Sequence, residues 1–345
     1  MKSTIELTHS CHRTALVKDP DYRALDQGKG VKGVWVPSTP HLVVGEVKKW
    51  AEEADVESVN IPAYWLDKKG FNLPIDARPS EGEKVLYVLH GGAYAIQSAH
   101  PDSLAAVIPR GILKHTSGSV RRAFMLEYRN SKSPTSSTAG NPFPAALLDA
   151  IAGYSYLVNA VGFAPENIIV EGDSAGGNLG LALIRYLIDN NGVDGIGATP
   201  GALILLSPWT DLHPDTSNLK SSFITNAKTD YVSKLASPSG SAVRNFLGPH
   251  GMVAASTNPY ISPASLAQSM PPVSFDGYPR TLIISGAAEF LVDQIRCLYD
   301  KMNASIGPNV QYAEFPDIWH DHIAFSNLGP QRSMALKLIG EWIGE

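Results

Sequence analysis

Gly172-Asp173-Ser174-Ala175-Gly176 sets one hydroxyl between two glycines. The residues before it, Ile168-Ile169-Val170, are branched and apolar and suit a strand buried on both faces, while residues 179–188 suit a helix. A strand that reverses into a helix so abruptly forces its central residue into a strained conformation, and small neighbours are needed where a Cβ would collide. The turn lifts the Ser174 hydroxyl clear of the sheet edge and leaves the Ala175 N–H at a helix start, pointing at whatever the serine attacks. The chemistry this spacing permits is acyl transfer through a covalent serine intermediate.

A serine hydroxyl is a poor nucleophile until a base takes its proton, and a near-neutral imidazole suits that task. The imidazole in turn needs a carboxylate to fix its tautomer and stabilise its charged form. Loops at the C-terminal ends of a parallel sheet converge on one face, so base and acid should follow separate strands. Glu289 follows the apolar run 280–287, and His320 follows the alternating run Val310-Gln311-Tyr312-Ala313-Glu314-Phe315. The order serine, acid, histidine is the one expected of α/β-hydrolases. Asp293, one helical turn past Glu289, is the rival acid. Asp317 and Asp321 lie too close to His320 in sequence to be its usual partner. His320-Asp321-His322 shows no third metal ligand, so no metal site is assigned, and His90 and His100 read as loop or structural residues.

Attack by serine on an ester creates a tetrahedral oxyanion, which preorganised backbone N–H groups stabilise. The buried-strand pattern of residues 83–90 delivers the chain into Gly91-Gly92-Ala93-Tyr94, where adjacent glycines allow close backbone approach. Gly91, Gly92 and Ala93, together with Ala175, are the candidate oxyanion hole. Losing one such donor typically costs on the order of a hundredfold or more in rate.

These residues require a frame of strands alternating with helices. Apolar runs at 122–128 and 201–207 join those already named, an amphipathic helix starts near Pro144, and a final helix spans 333–343. The expected fold is α/β, a mostly parallel central sheet with helices on both faces. Residues 1–50 read as an arm or partial helical layer, with no strand of the main sheet, and 54–65 begins to resemble an early strand. Core segments 51–211 and 261–345 are separated by a polar, proline-containing insertion, 212–260, read as a lid with short helices at 229–236 and 241–247. Arg129 and Asp149 read as a structural pair, and the polar run 131–140 as a surface loop.

The 345 residues suffice for a large core, and the formal net charge of −5 is spread without a basic patch, which disfavours nucleic acid and anionic membranes. Cys11 and Cys297 are too few and too distant for a disulfide framework or a zinc site. The first ten residues lack the apolar core of a signal peptide and no run is long enough to span a bilayer, so a soluble, cytoplasmic protein is expected.

The chain resembles the hormone-sensitive-lipase family of α/β-hydrolase esterases from about Lys84 onward. The resemblance rests on His90-Gly91-Gly92-Ala93-Tyr94, Glu127-Tyr128-Arg129, Pro142-Phe143-Pro144-Ala145-Ala146, Gly172-Asp173-Ser174-Ala175-Gly176-Gly177, Ser207-Pro208-Trp209-Thr210-Asp211 and Pro259-Tyr260-Ile261-Ser262-Pro263. It implies a helical cap built from the N-terminal arm and the 212–260 insertion, no cofactor, and oxyanion donors at Gly92, Ala93 and Ala175. Two positions depart from the pattern: Ala93 stands where a third glycine is common, and Glu289 where aspartate is more frequent. The expected activity is cleavage of a small or short-to-medium acyl ester by Ser174, His320 and Glu289. Lactone, thioester or acetylated metabolite cleavage on the same groups is the alternative chemistry, and a ligand receptor on the esterase fold is the alternative class. The partner implied is a small-molecule ester, and a homodimer is compatible with this reading.

Overall fold

The computed structural model describes residues 22–131, 140–214 and 217–344. Cys11, the first part of the arm and most of the polar run 131–140 lie outside them. Eight strands form one sheet: β1 (Lys32–Val36), β2 (Ile61–Asp67), β3 (Lys84–Leu89), β4 (Val120–Leu126), β5 (Ile168–Asp173), β6 (Ala202–Leu206), β7 (Arg280–Gly286) and β8 (Val310–Phe315). Their spatial order is β1-β2-β4-β3-β5-β6-β7-β8. β1 and β2 pair antiparallel, as do β2 and β4; from β4 onward every pairing is parallel.

Period-two alternation decides which layer each side chain joins. In β3, Tyr87 and Leu89 join the cluster that includes Ile151 of α3 (Ala145–Ser155), Leu183 of α4 (Ala175–Asp189) and Ile295 of α8 (Val292–Ile306). Leu86 and Val88 face the other way, toward Ile112 of α2 (Val107–His115) and Ile339 of α9 (Gly329–Gly344). Fully burying each such side chain contributes roughly 1.5–3 kcal/mol, so the central strands are held from both sides. Such strands read as continuous apolar runs, which is why their positions are legible.

β1 corrects the expectation that the sheet has no strand before residue 50. It is a five-residue edge strand with Trp35 turned largely to solvent, so half of the apolar alternation is missing. Pairing with β2 and an ion pair from Lys32 to Asp67 at 2.5 Å hold it instead. Arg129 and Asp149 do form a buried pair at 2.8 Å, and Asp149 also accepts the Arg129 N–H at 2.8 Å, tying the end of β4 to α3.

After β6 the chain leaves the sheet. Residues 212–260 carry α5 (Ser222–Thr225), a 3-10 turn at Tyr231–Lys234, α6 (Ser241–Leu247) and α7 (Gly251–Thr257). Trp50 of α1 (Gly45–Glu53) packs against Tyr260 at 5.1 Å, and Glu53 pairs with His250 at 3.2 Å. The N-terminal helix and this excursion are thereby one packed unit. No helix among the described residues is long and apolar enough to cross a membrane.

Candidate active site

Ser174 sits at the N-cap of α4 with φ 51° and ψ −115°. A non-glycine residue in this region is strained, and here the surrounding contacts impose it. A Cβ on Gly172 would collide with the Gly176 carbonyl, and one on Gly176 with the Leu89 carbonyl oxygen. Ser174 N–H donates to Leu206 O at 2.9 Å, and Trp209 N–H donates to Ser174 O at 2.9 Å, so the turn is stapled to the end of β6 on both sides. The residue is 4% exposed.

The glycine loop passes beside the elbow. Gly91 N–H donates to Asp173 Oδ1 at 2.9 Å, so Gly91, counted with the candidate oxyanion hole, has its donor occupied. Its contribution is room: a Cβ there would run into the Asp173 carboxylate. The N–H groups of Gly92, Ala93 and Ala175 make no hydrogen bond among the described residues. Gly92, Ala93 and Tyr94 all have positive φ, at 111°, 55° and 55°. Positive φ at three residues in succession marks a tight, irregular turn here. His90 lies behind the loop, stacked on Tyr128 at 4.3 Å and bonded to Gly91 O at 2.7 Å. Burial pushes its imidazole down to about 4, so it stays neutral.

Glu289 and His320 meet at 3.3 Å, Oε2 to Nδ1. The other oxygen of Glu289 accepts two hydrogen bonds, from Ser207 Oγ at 2.6 Å and Gly286 N–H at 2.5 Å. Glu289 is fully buried, and burial raises its carboxyl above the usual range; the bonds from His320, Ser207 and Gly286 oppose that rise. Burial alone would depress the imidazole of His320, but the carboxylates of Asp321 and Glu289 outweigh it and hold the group well above its ordinary value. Asp321, set aside on sequence distance, is therefore part of the site: its Oδ2 lies 3.1 Å from His320 Nε2. Among the described residues no hydrogen bond joins that nitrogen to Ser174 Oγ. The rival acid is engaged elsewhere: Asp293 accepts Ser222 N–H at 2.7 Å and pairs with Arg296 at 3.2 Å.

Ser207 is a site residue that the sequence alone does not mark. Fully buried at φ 45°, it donates to Glu289 and accepts Asp321 N–H at 3.0 Å, so one hydroxyl links the loops after β6, β7 and β8. Its signal was the position directly after an apolar strand, ahead of Pro208-Trp209. A second buried group, Glu171 on β5, has neither carboxyl oxygen hydrogen-bonded. Desolvation, then the charges of Asp173 and Asp321, raise its carboxyl well above the carboxylate range. His322 packs against Phe315 at 5.1 Å, and burial lowers its imidazole to about 4.

A doubly wound sheet with a strained serine at its central strand-to-helix turn, and an acid and a base after later strands, is the arrangement of the α/β hydrolases. A family model described as the alpha/beta hydrolase fold matches residues 86–324, and the chain belongs to that family. It is similar to an acetyl-hydrolase of Streptomyces hygroscopicus, 28% identical over 263 residues that make up 76% of each chain. It is also 29% identical to the esterase LipU of Mycobacterium tuberculosis over 208 residues, 58% of this chain and 61% of that one. Among solved structures it resembles a hormone-sensitive lipase from a metagenome library, with 26% identity, a TM-score of 0.62, and coverage of 82% of this chain and 81% of the other.

Proposed function

We propose that the chain, a carboxylic ester hydrolase of this family, works through an acyl-enzyme formed on Ser174. His320 takes the serine proton and returns it to the leaving alcohol; Glu289 fixes the imidazole through Nδ1; Gly92, Ala93 and Ala175 N–H groups hold the oxyanion. Water, activated by the same imidazole, then releases the acid. For the first step Nε2 exchanges Asp321 for Ser174, since one nitrogen cannot serve both at once. The reading is carried by one observation: Ser174, at φ 51° at the head of α4, is stapled by its own N–H and C=O to the same strand end whose Ser207 holds Glu289.

With the Gly91 N–H engaged, the N–H groups of Gly92, Ala93 and Ala175 are the unbonded ones of the candidate hole among the described residues, which suits a developing oxyanion. Residues 212–260 with α1 act as the cap, and the name of the acetyl-hydrolase relative favours short acyl chains. Labelling with a fluorophosphonate tests the nucleophile. The native protein should label and Ser174→Ala should not, with ester turnover falling at least about a thousandfold in the variant. A native protein that neither labels nor turns over short esters points to the receptor class.

A further inference from the structure

Tyr231, in the 212–260 excursion, packs against the proposed base. Its ring lies 5.9 Å from that of His320, at 65°, and 5.6 Å from Phe325, at 77°. Half of Tyr231 remains accessible. The imidazole it meets is the one whose Nε2 lies 3.1 Å from Asp321 Oδ2, so the accessible ring borders the histidine that handles the proton.

The turn that carries the ring is held in place. Asp230, the preceding residue, accepts Phe290 N–H at 2.7 Å through one oxygen and Val232 N–H at 3.3 Å through the other. Phe290 is the neighbour of Glu289, so the turn bearing Tyr231 is pinned to the loop bearing the acid. A backbone turn held this way loses little freedom when a ligand docks against it.

An imidazole that returns its proton to the leaving oxygen must border the alcohol half of the ester, with the acyl half on the far side of the serine. We propose that Tyr231 and Phe325 form the wall of the alcohol subsite, and that this wall selects esters of aromatic alcohols. The inference rests on the serine hydrolase reading above. Two edge-to-face rings with one surface still open gain a third ring at about 0.5–1.5 kcal/mol beyond its buried area, up to roughly tenfold in rate constant.

The test compares kcat/KM for benzyl acetate and n-butyl acetate, which share the acyl-enzyme, in the native full-length protein, Tyr231→Phe, Tyr231→Leu and Phe325→Leu. The native protein should prefer the benzyl ester. Tyr231→Leu should cut the benzyl-to-butyl ratio by about tenfold, Phe325→Leu by less, and Tyr231→Phe should keep it within about twofold. A ratio equal in native protein and Tyr231→Leu overturns the proposal, as does a ratio lost equally in Tyr231→Phe, which would assign the effect to the hydroxyl. Because the butyl ester reports the shared machinery, loss of turnover on both esters together with loss of fluorophosphonate labelling in the native protein would instead defeat the hydrolase reading, and this proposal with it.

Discussion

The elbow and the acid–base corner are built in opposite ways. At the elbow, position follows from close-packed backbone: glycines at 172 and 176 sit where a Cβ would meet the Gly176 and Leu89 carbonyls, and the serine, at φ 51°, is held by its N–H and C=O to the chain at the end of β6. At the corner, Ser207, Glu289, His320 and Asp321 come from the ends of three strands and hold one another through buried hydrogen bonds. Steric positioning is rigid and indifferent to charge; polar positioning depends on which groups are ionised. The proposed nucleophile is therefore fixed by the backbone, while the proposed base is tuned by its neighbours.

The largest effect expected on the corner comes from Glu289→Gln, which should lower kcat on the order of 10³–10⁴-fold by losing the carboxylate that orients the imidazole. Asp293→Asn should stay within about threefold of native in the same assay, since Asp293 serves Ser222 and Arg296. If only the Asp293 variant lost turnover while both remained folded, the acid would have been misassigned.

Ser207→Gly isolates the hydroxyl, because glycine accepts φ 45° more readily than serine does. Removing a hydrogen bond to a charged group costs about 1.5–3 kcal/mol, so kcat should fall roughly ten- to a hundredfold with KM little changed. A variant with native kcat would reduce Ser207 to backbone geometry, and the contrast between the two regions would weaken.

The smallest catalytic effect concerns Asp321. His320 must be neutral to accept a proton, and Asp321 is the first of the charges holding it above its ordinary value. Asp321→Asn should therefore move the acid limb of the kcat/KM profile to lower pH, making the variant several-fold faster than native at pH 6 with a similar plateau. A limb unmoved, or moved to higher pH, would show that Asp321 leaves Nε2 before the base is used.

What was legible in the sequence divides along the same line. The strand-to-helix turn around Ser174, the glycine loop and the strands from β3 to β8 were readable because apolar runs and small residues record local constraints directly. β1 was not, because an edge strand with one face in water needs little apolar pattern. Ser207 and the placement of Asp321 were hidden for another reason: each depends on a partner 82 or 114 positions away, and a serine or aspartate looks the same in sequence whether buried or exposed. The engaged N–H of Gly91 belongs to this group too, since only the folded chain brings Asp173 beside it.

Glu171 gives the folded chain a titration of its own. Below about pH 4.5, the ordinary value for glutamate, folded and unfolded chains both hold this proton and it has no influence on which form prevails. As the solution becomes more alkaline the unfolded chain gives the proton up and the native one keeps it, so the native state loses ground until its own group ionises. Melting the protein near neutrality should thus release a proton to the buffer, and Glu171→Gln should gain in Tm over the parent as pH rises from 5 to 8, about 2–4 °C for each kcal/mol. A Tm difference that stayed flat across that interval would mean the strand beneath the nucleophile carries a charge after all.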